Sequence, residues 1–246
     1  MILSVVPTQE DIFTAVVGFL SAVLPPGTPI RQGQANRVPE PHAGDFVVMW
    51  PILTPRIGTN VDQVFDAVFT GSIALTTLTI TDVNPNWNTP LAVGHTIFGI
   101  GIAANTVIQS QLSGTPGGIG TYRVSISQTF ASGVIAAGIQ TLMECVEVVM
   151  QWDVHGPNAW DNTTLISATF RDEVGCDLFA ASGFEIAPLY LDDPRQVPFV
   201  NAEQQVENRF VITAHMEANQ TVTVPQQFAD QLVVTPISVD VDYPPS

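Results

Sequence analysis

Glu144-Cys-Val-Glu-Val-Val-Met-Gln-Trp-Asp-Val-His155 is the clearest strand in the chain. Val146, Val148, Met150, Trp152 and Val154 share one face, and Glu147, Gln151, Asp153 and His155 share the other, because side chains alternate across a strand. A matching alternation runs from Gln205 to Glu217. Its apolar side is Val206, Phe210, Ile212, Ala214 and Met216; its polar side is Glu207, Arg209, Thr213 and His215. After the first strand, Gly156-Pro157-Asn158 turns the chain into a helical pattern, with Ile166, Phe170, Val174 and Leu178 at i, i+4 spacing and Gly183 as a stop.

Toward the N-terminus, Thr8 offers a hydroxyl cap and Glu10 and Asp11 suit the first turn of a helix. Ile12, Val16, Leu20 and Val23 then recur at helical spacing until Pro25-Pro26-Gly27. Residues 25–44 read as a Pro- and Gly-rich loop with a short strand near Ile30. Phe46-Val-Val-Met-Trp50 reads as a strand covered on both faces and halted by Pro51. A last strand is expected near Leu232–Tyr243, at an edge or bend because it contains Pro236. Two helices on a mostly antiparallel sheet give an expected fold class of α+β, a sheet flanked by helices.

Residues 67–137 break this pattern. They hold two charged residues, Asp82 and Arg123, yet 11 Thr and 9 Gly, while the other 175 residues hold the remaining 28 charges. Leu75-Thr-Thr-Leu-Thr-Ile-Thr81 alternates with period two, and Gly94, Gly99, Gly101 and the Gly114–Gly120 cluster mark turns. The expected organisation is a host domain, residues 1–66 and 138–246, interrupted by a small all-β sandwich or barrel at 67–137. Gly99-Ile-Gly101 lacks the third glycine and the βαβ setting of a dinucleotide site.

Composition narrows function further. The chain of 246 residues has a formal charge of −16, from 23 acidic residues against seven Arg, and no lysine. That excludes a phosphate-neutralising patch for nucleic acid, a Walker A loop and a Schiff-base nucleophile. An acidic surface still allows DNA to pass without adhering. Cys145 and Cys176 are too few for a disulfide framework and lack metal spacing. The apolar run Ile12–Leu24 follows Glu10 and Asp11 and is too short to cross a bilayer, so the expectation is a soluble protein assembled inside a cell. A charged content of 12% is low for a free monomer and suits subunit burial.

Three groups of residues invite chemistry. Asp153 and His155 could form a base with its orienting carboxylate, but no nucleophile accompanies them, and a hydrogen bond or subunit contact is the better reading. Asp192 and Asp193 could bind a divalent cation, but no further ligands are evident. The loop they open, Asp192-Asp-Pro-Arg-Gln-Val-Pro-Phe199, suits protein contact through Arg195, Gln196 and Phe199. Glu207 and Arg209, on the polar face of the second strand, complete the candidate interface. No catalytic centre, cofactor or metal is expected.

Several segments resemble a known family. They are Val5-Val-Pro-Thr-Gln-Glu-Asp-Ile-Phe13, Gly33-Gln-Ala-Asn-Arg-Val-Pro-Glu-Pro41, Asp45-Phe-Val-Val-Met49, Gln151-Trp-Asp-Val-His-Gly-Pro-Asn158, Asp192-Asp-Pro-Arg-Gln196 and Val224-Pro-Gln-Gln-Phe-Ala-Asp230. Together, and in this order, they resemble the neck or tail terminator proteins of long-tailed bacteriophages. The resemblance implies an α+β fold and a structural virion protein. It would form a ring, usually hexameric, that caps the head-proximal end of the tail tube, stops its growth and joins it to the head-side connector. Implied partners are further copies, the tail tube protein, neck and connector proteins and, in a sheathed tail, the sheath. The competing reading is a tail or capsid surface protein whose β-module binds a host glycan or decorates the particle.

Overall fold

The computed structural model of the protein describes residues 4–33, 44–200 and 206–225. In chain order these form β1 (Ser4–Val6), α1 (Gln9–Val23), β2 (Ile30–Gln32), β3 (Phe46–Leu53), β4 (Val61–Asn88), β5 (Thr96–Phe98), β6 (Thr106–Gly114) and β7 (Gly120–His155). There follow α2 (Ala159–Thr169), α3 (Glu173–Ala181), β8 (Ile186–Leu191), β9 (Arg195–Gln196), β10 (Phe199–Val200), β11 (Val206–Glu207) and β12 (Arg209–Pro225). The strand expected near Leu232–Tyr243, and most of the segments 33–41 and 224–230, lie outside the described residues.

The fold class differs from the α+β expectation. Strand dominates, and ten strands join one mixed sheet in which β2 and β3 run parallel and the other registered pairs run antiparallel. The protein is therefore mostly β, with three short helices rather than a helix-flanked sheet. The physical reason is strand length. β4 and β7 are 28 and 36 residues long, so the change in composition near residues 67 and 137 interrupts neither of them.

By internal contacts the chain divides into two units, one of Ile2–Gln63 with Thr141–Val224 and the other containing Val64–Gln140. In the first, the strand order is β1-β12-β7-β3-β2, with β8 and β9 also on β12. Thr8 caps α1 as its sequence suggests: Asp11 N–H donates to the Thr8 hydroxyl, and Asp11 carboxylate oxygen accepts from Thr8 N–H, closing a capping box. The α1 face of Ile12, Val16, Phe19 and Leu20 packs with the Val146–Val154 and Phe210–Ala218 strand faces. Phe19, Trp152, Phe170 and Phe179 form an aromatic nucleus, with Trp152 edge-on to Phe170 at 5.5 Å and Phe19 against Phe179 at the same distance.

The helical pattern from Ile166 to Leu178 is two helices, not one. α2 ends at Thr169 and α3 starts at Glu173, so Val174 points to solvent at 52% exposure. At the join, Gly175 sits where a Cβ would lie 2.3 Å from the Phe170 carbonyl oxygen. β3 also continues through Pro51 to Leu53, with a register shift there. Pro51 is tolerated because its strand is irregular at that point.

The second unit has its own core, including Phe69, Ile73, Leu78, Ile80, Ile97, Ile108, Tyr122 and Val124. β4 doubles back at Leu75, whose φ is +57°, bringing the Thr81 hydroxyl onto the Thr70 carbonyl at 3.2 Å. The expected single strand at Leu75–Thr81 is thus the return arm of a hairpin. Turns at Gly101 and Gly114, both with positive φ, agree with the glycine reading.

Candidate interaction face

The face of β7 and β12 opposite the core carries polar side chains in pairs, because both strands alternate and neighbour one another. Starting at one end, Cys145 Sγ donates to Glu217 Oε1 at 3.3 Å. Next, Glu147 Oε1 lies 2.6 Å from His215 Nδ1 and accepts from the Tyr190 hydroxyl at 3.3 Å. Tyr190 stacks on His215 with ring centroids 4.1 Å apart, and Asp192 Oδ1 is 3.7 Å from His215 Nε2. Further along, Asp153 pairs with Arg209 and accepts from Gln151 Nε2 at 2.7 Å. At the far end His155 Nδ1 is 3.5 Å from Glu207 Oε1, and its ring stacks on Phe46 at 4.4 Å.

Burial grades across these pairs. The side chains of Asp153 and His155 are 4% and 5% exposed, whereas their partners Arg209 and Glu207 are each 22% exposed. Burial, the largest influence, together with the Arg209 charge outweighs the Asp153 charge and pushes His155 down to about 4. His155 is therefore neutral near pH 7. Burial beside Glu217 raises the Cys145 thiol above its ordinary value, which keeps it protonated and weakly nucleophilic.

The strand ends are fixed by backbone constraints. Gly156 has φ of +108°, and a Cβ there would meet Gly44 O and Asp45 Oδ1 at 2.5 Å. Asp45 accepts from both the Asn158 N–H, at 2.9 Å, and the Asn158 side-chain amide, at 2.8 Å, tying the start of α2 to the edge of β3. The Gly156-Pro157-Asn158 turn therefore owes its composition to a close backbone approach.

Of the residues singled out from sequence, Asp153, His155, Glu207 and Arg209 come together on this one face. Asp192 joins the His215 cluster. Arg195 and Gln196 form β9, paired with Val211 and Phe210, and both are exposed along with Asp193. Phe199 pairs through its backbone with Glu207, as β10 against β11. The expected loop 192–199 is thus partly strand. Asp153 and His155 are buried, so they support Arg209 and Glu207 from beneath.

Sequence reasoning missed two features. Glu147, Tyr190 and His215 form the tightest polar cluster of the face, and the polar parity of Glu147 and His215 was the signal for it. Trp160, at the start of α2, is 68% exposed and lies edge-on to Phe210 with centroids 5.4 Å apart. Trp160, Thr163, Ser167, Pro194 and Phe210 line a groove of about 420 Å³. Pro194 links that groove to the Asp192–Phe199 segment.

Chemically, the face can present fixed charges and one aromatic groove. No group of three His, Cys, Asp or Glu side chains among the described residues could hold a metal ion. No described helix is long and apolar enough to cross a membrane. A family model described as phage neck terminator protein matches residues 81–241. The matched span includes 81–137, most of the stretch that composition sets apart. No curated protein matches the chain.

Proposed function

The chain belongs to the phage neck terminator protein family, and on that premise we propose that it forms a ring closing the head-proximal end of a phage tail tube. Membership makes it a structural component of the phage neck. The family match carries the reading, and the polar face indicates how contacts would be specified. One side of the ring fits the last tube layer, and the other does not repeat the tube's surface, so growth stops.

Paired charges on a flat strand face fix register and reject wrong partners more than they add affinity. Arg209, Glu207, Asp192, Asp193, Arg195, Gln196 and Phe199 are assigned to subunit or tube contact, with Asp153 and His155 holding Arg209 and Glu207 in place. Trp160 beside Phe210 and Pro194 supplies the aromatic anchor that such interfaces favour. The unit containing Val64–Gln140 serves contact and not chemistry. The formal charge of −16 suits a passage through which DNA moves without adhering.

Native mass across a concentration series, with imaging, tests the ring. A particle near six times the 26.4 kDa chain mass, with a central hole, supports it. A monomer at every concentration, still unassociated after tail tubes are added, rejects it.

A further inference from the structure

The unit containing Val64–Gln140 holds an apolar knuckle that its own fold does not use. Ile100 is 72% exposed and Val134 is 67% exposed. They are neighbours: Phe98 at the end of β5 pairs with Ala136 of β7, and a Cβ on Gly99 would lie 3.2 Å from the Val134 carbonyl oxygen. Ile102 and Phe130 stand behind them, packed against the unit's core.

This exposure does not come from a loose loop. Ile102 N–H donates to Gly99 O at 3.0 Å, closing the turn. The Gln128 side chain braces the following residues, accepting from Ala103 N–H at 2.8 Å and donating to the Thr106 hydroxyl at 2.9 Å. That hydroxyl, fully buried, donates in turn to Ala103 O at 2.6 Å. Gly133 allows the close approach, since a Cβ there would meet the Phe130 ring at 2.9 Å. A surface held in one conformation loses little entropy on binding, and clustered exposed apolar side chains mark contact sites.

Charge selects the occupant. Residues 64–140 carry Asp66, Asp82 and Arg123, a net −1, against −16 for the whole chain. Copies of so acidic a protein repel wherever charged surfaces come within about 8 Å, the screening length at physiological salt. An uncharged apolar knuckle is where two copies can touch without that penalty. We propose that the Ile100–Val134 knuckle is a copy-to-copy contact, joining the Thr/Gly-rich units of neighbouring protomers. The inference rests on the ring reading above and adds a second contact to it.

The test compares the full chain with I100D/V134D and with the conservative I100V, by sedimentation velocity over a concentration series at low and high salt. Circular dichroism and melting curves check the fold, which exposed positions should leave unchanged. The expected result is wild-type assembly that holds or strengthens as salt rises. I100D/V134D should weaken that assembly by about tenfold or more, and I100V should stay near wild type. Assembly of I100D/V134D equal to wild type would overturn the knuckle and leave the ring standing. So would normal assembly of that variant with lost binding to purified tails, which would assign the knuckle to another partner. Wild-type protein that stays monomeric with and without tail tubes would overturn both.

Discussion

His155 makes the polar face sensitive to acid, and His155→Gln measures how much. In the folded chain burial holds the imidazole at about 4, against 6.5 for an exposed histidine. The unfolded chain therefore binds a proton over a range of pH in which the folded chain does not, and stability falls as pH drops through it. The effect begins near pH 6.5 and levels off near the folded value. Linkage from those two values gives a loss of about 2 kcal/mol in unfolding free energy between pH 7 and pH 5 from this one group. Urea melts followed by the fluorescence of buried Trp152 would measure it, at protein concentrations too low for assembly. His95, also lowered by burial, contributes equally to both proteins and cancels in the comparison. Wild type should lose about 2 kcal/mol more than H155Q over that interval. Equal losses in the two proteins would refute the account of His155 as a buried, neutral group.

Three further substitutions test the packing. Arg209→Met leaves the buried Asp153 carboxylate without its cation and should destabilise by about 3 kcal/mol in chemical denaturation, with D153L/R209M recovering most of the loss. Trp152→Ala opens a cavity among Phe19, Phe170 and Val154 and should cost about 4 kcal/mol by the same measurement. Gly175→Ala places a methyl against the Phe170 carbonyl and should lower thermal stability by about 3 kcal/mol, whereas Val174→Ala, on the exposed side of the same join, should be nearly neutral.

The parts of the fold that were legible in sequence follow from strict periodicity. Thr8 and Asp11 announce the start of α1, and the alternation from Val146 to Val154 and from Phe210 to Met216 sorts core from polar residues correctly. What was not legible depends on backbone geometry without a residue signature. Leu75 makes a hairpin turn with positive φ, a conformation that leucine rarely adopts, so its segment reads as unbroken strand. Ile166, Phe170, Val174 and Leu178 keep helical spacing across a break, because the break is set by the close approach of Gly175. The fold class was misjudged for a related reason: a shift in composition was read as a boundary, whereas hydrogen-bonded strands run through it.

For the candidate face, parity along the strands placed Asp153, His155, Glu207 and Arg209 together. It could not show that Asp153 and His155 are covered, since that depends on neighbours such as Phe46 on β3. Tyr190 was hidden inside an apolar run, and only its stacking on His215 shows its place. Trp160 gave no periodic signal because it faces away from the core of its own helix.

The central claim is that this protein closes one end of a tail tube. The direct measurement adds purified full-length protein to purified tail tubes free of terminator and images the mixture. The account expects a ring-shaped density at the head-proximal tip, one per tube, and no further growth when tube subunits are supplied. Binding along the sides of the tube, or continued elongation from the decorated tip, would contradict it.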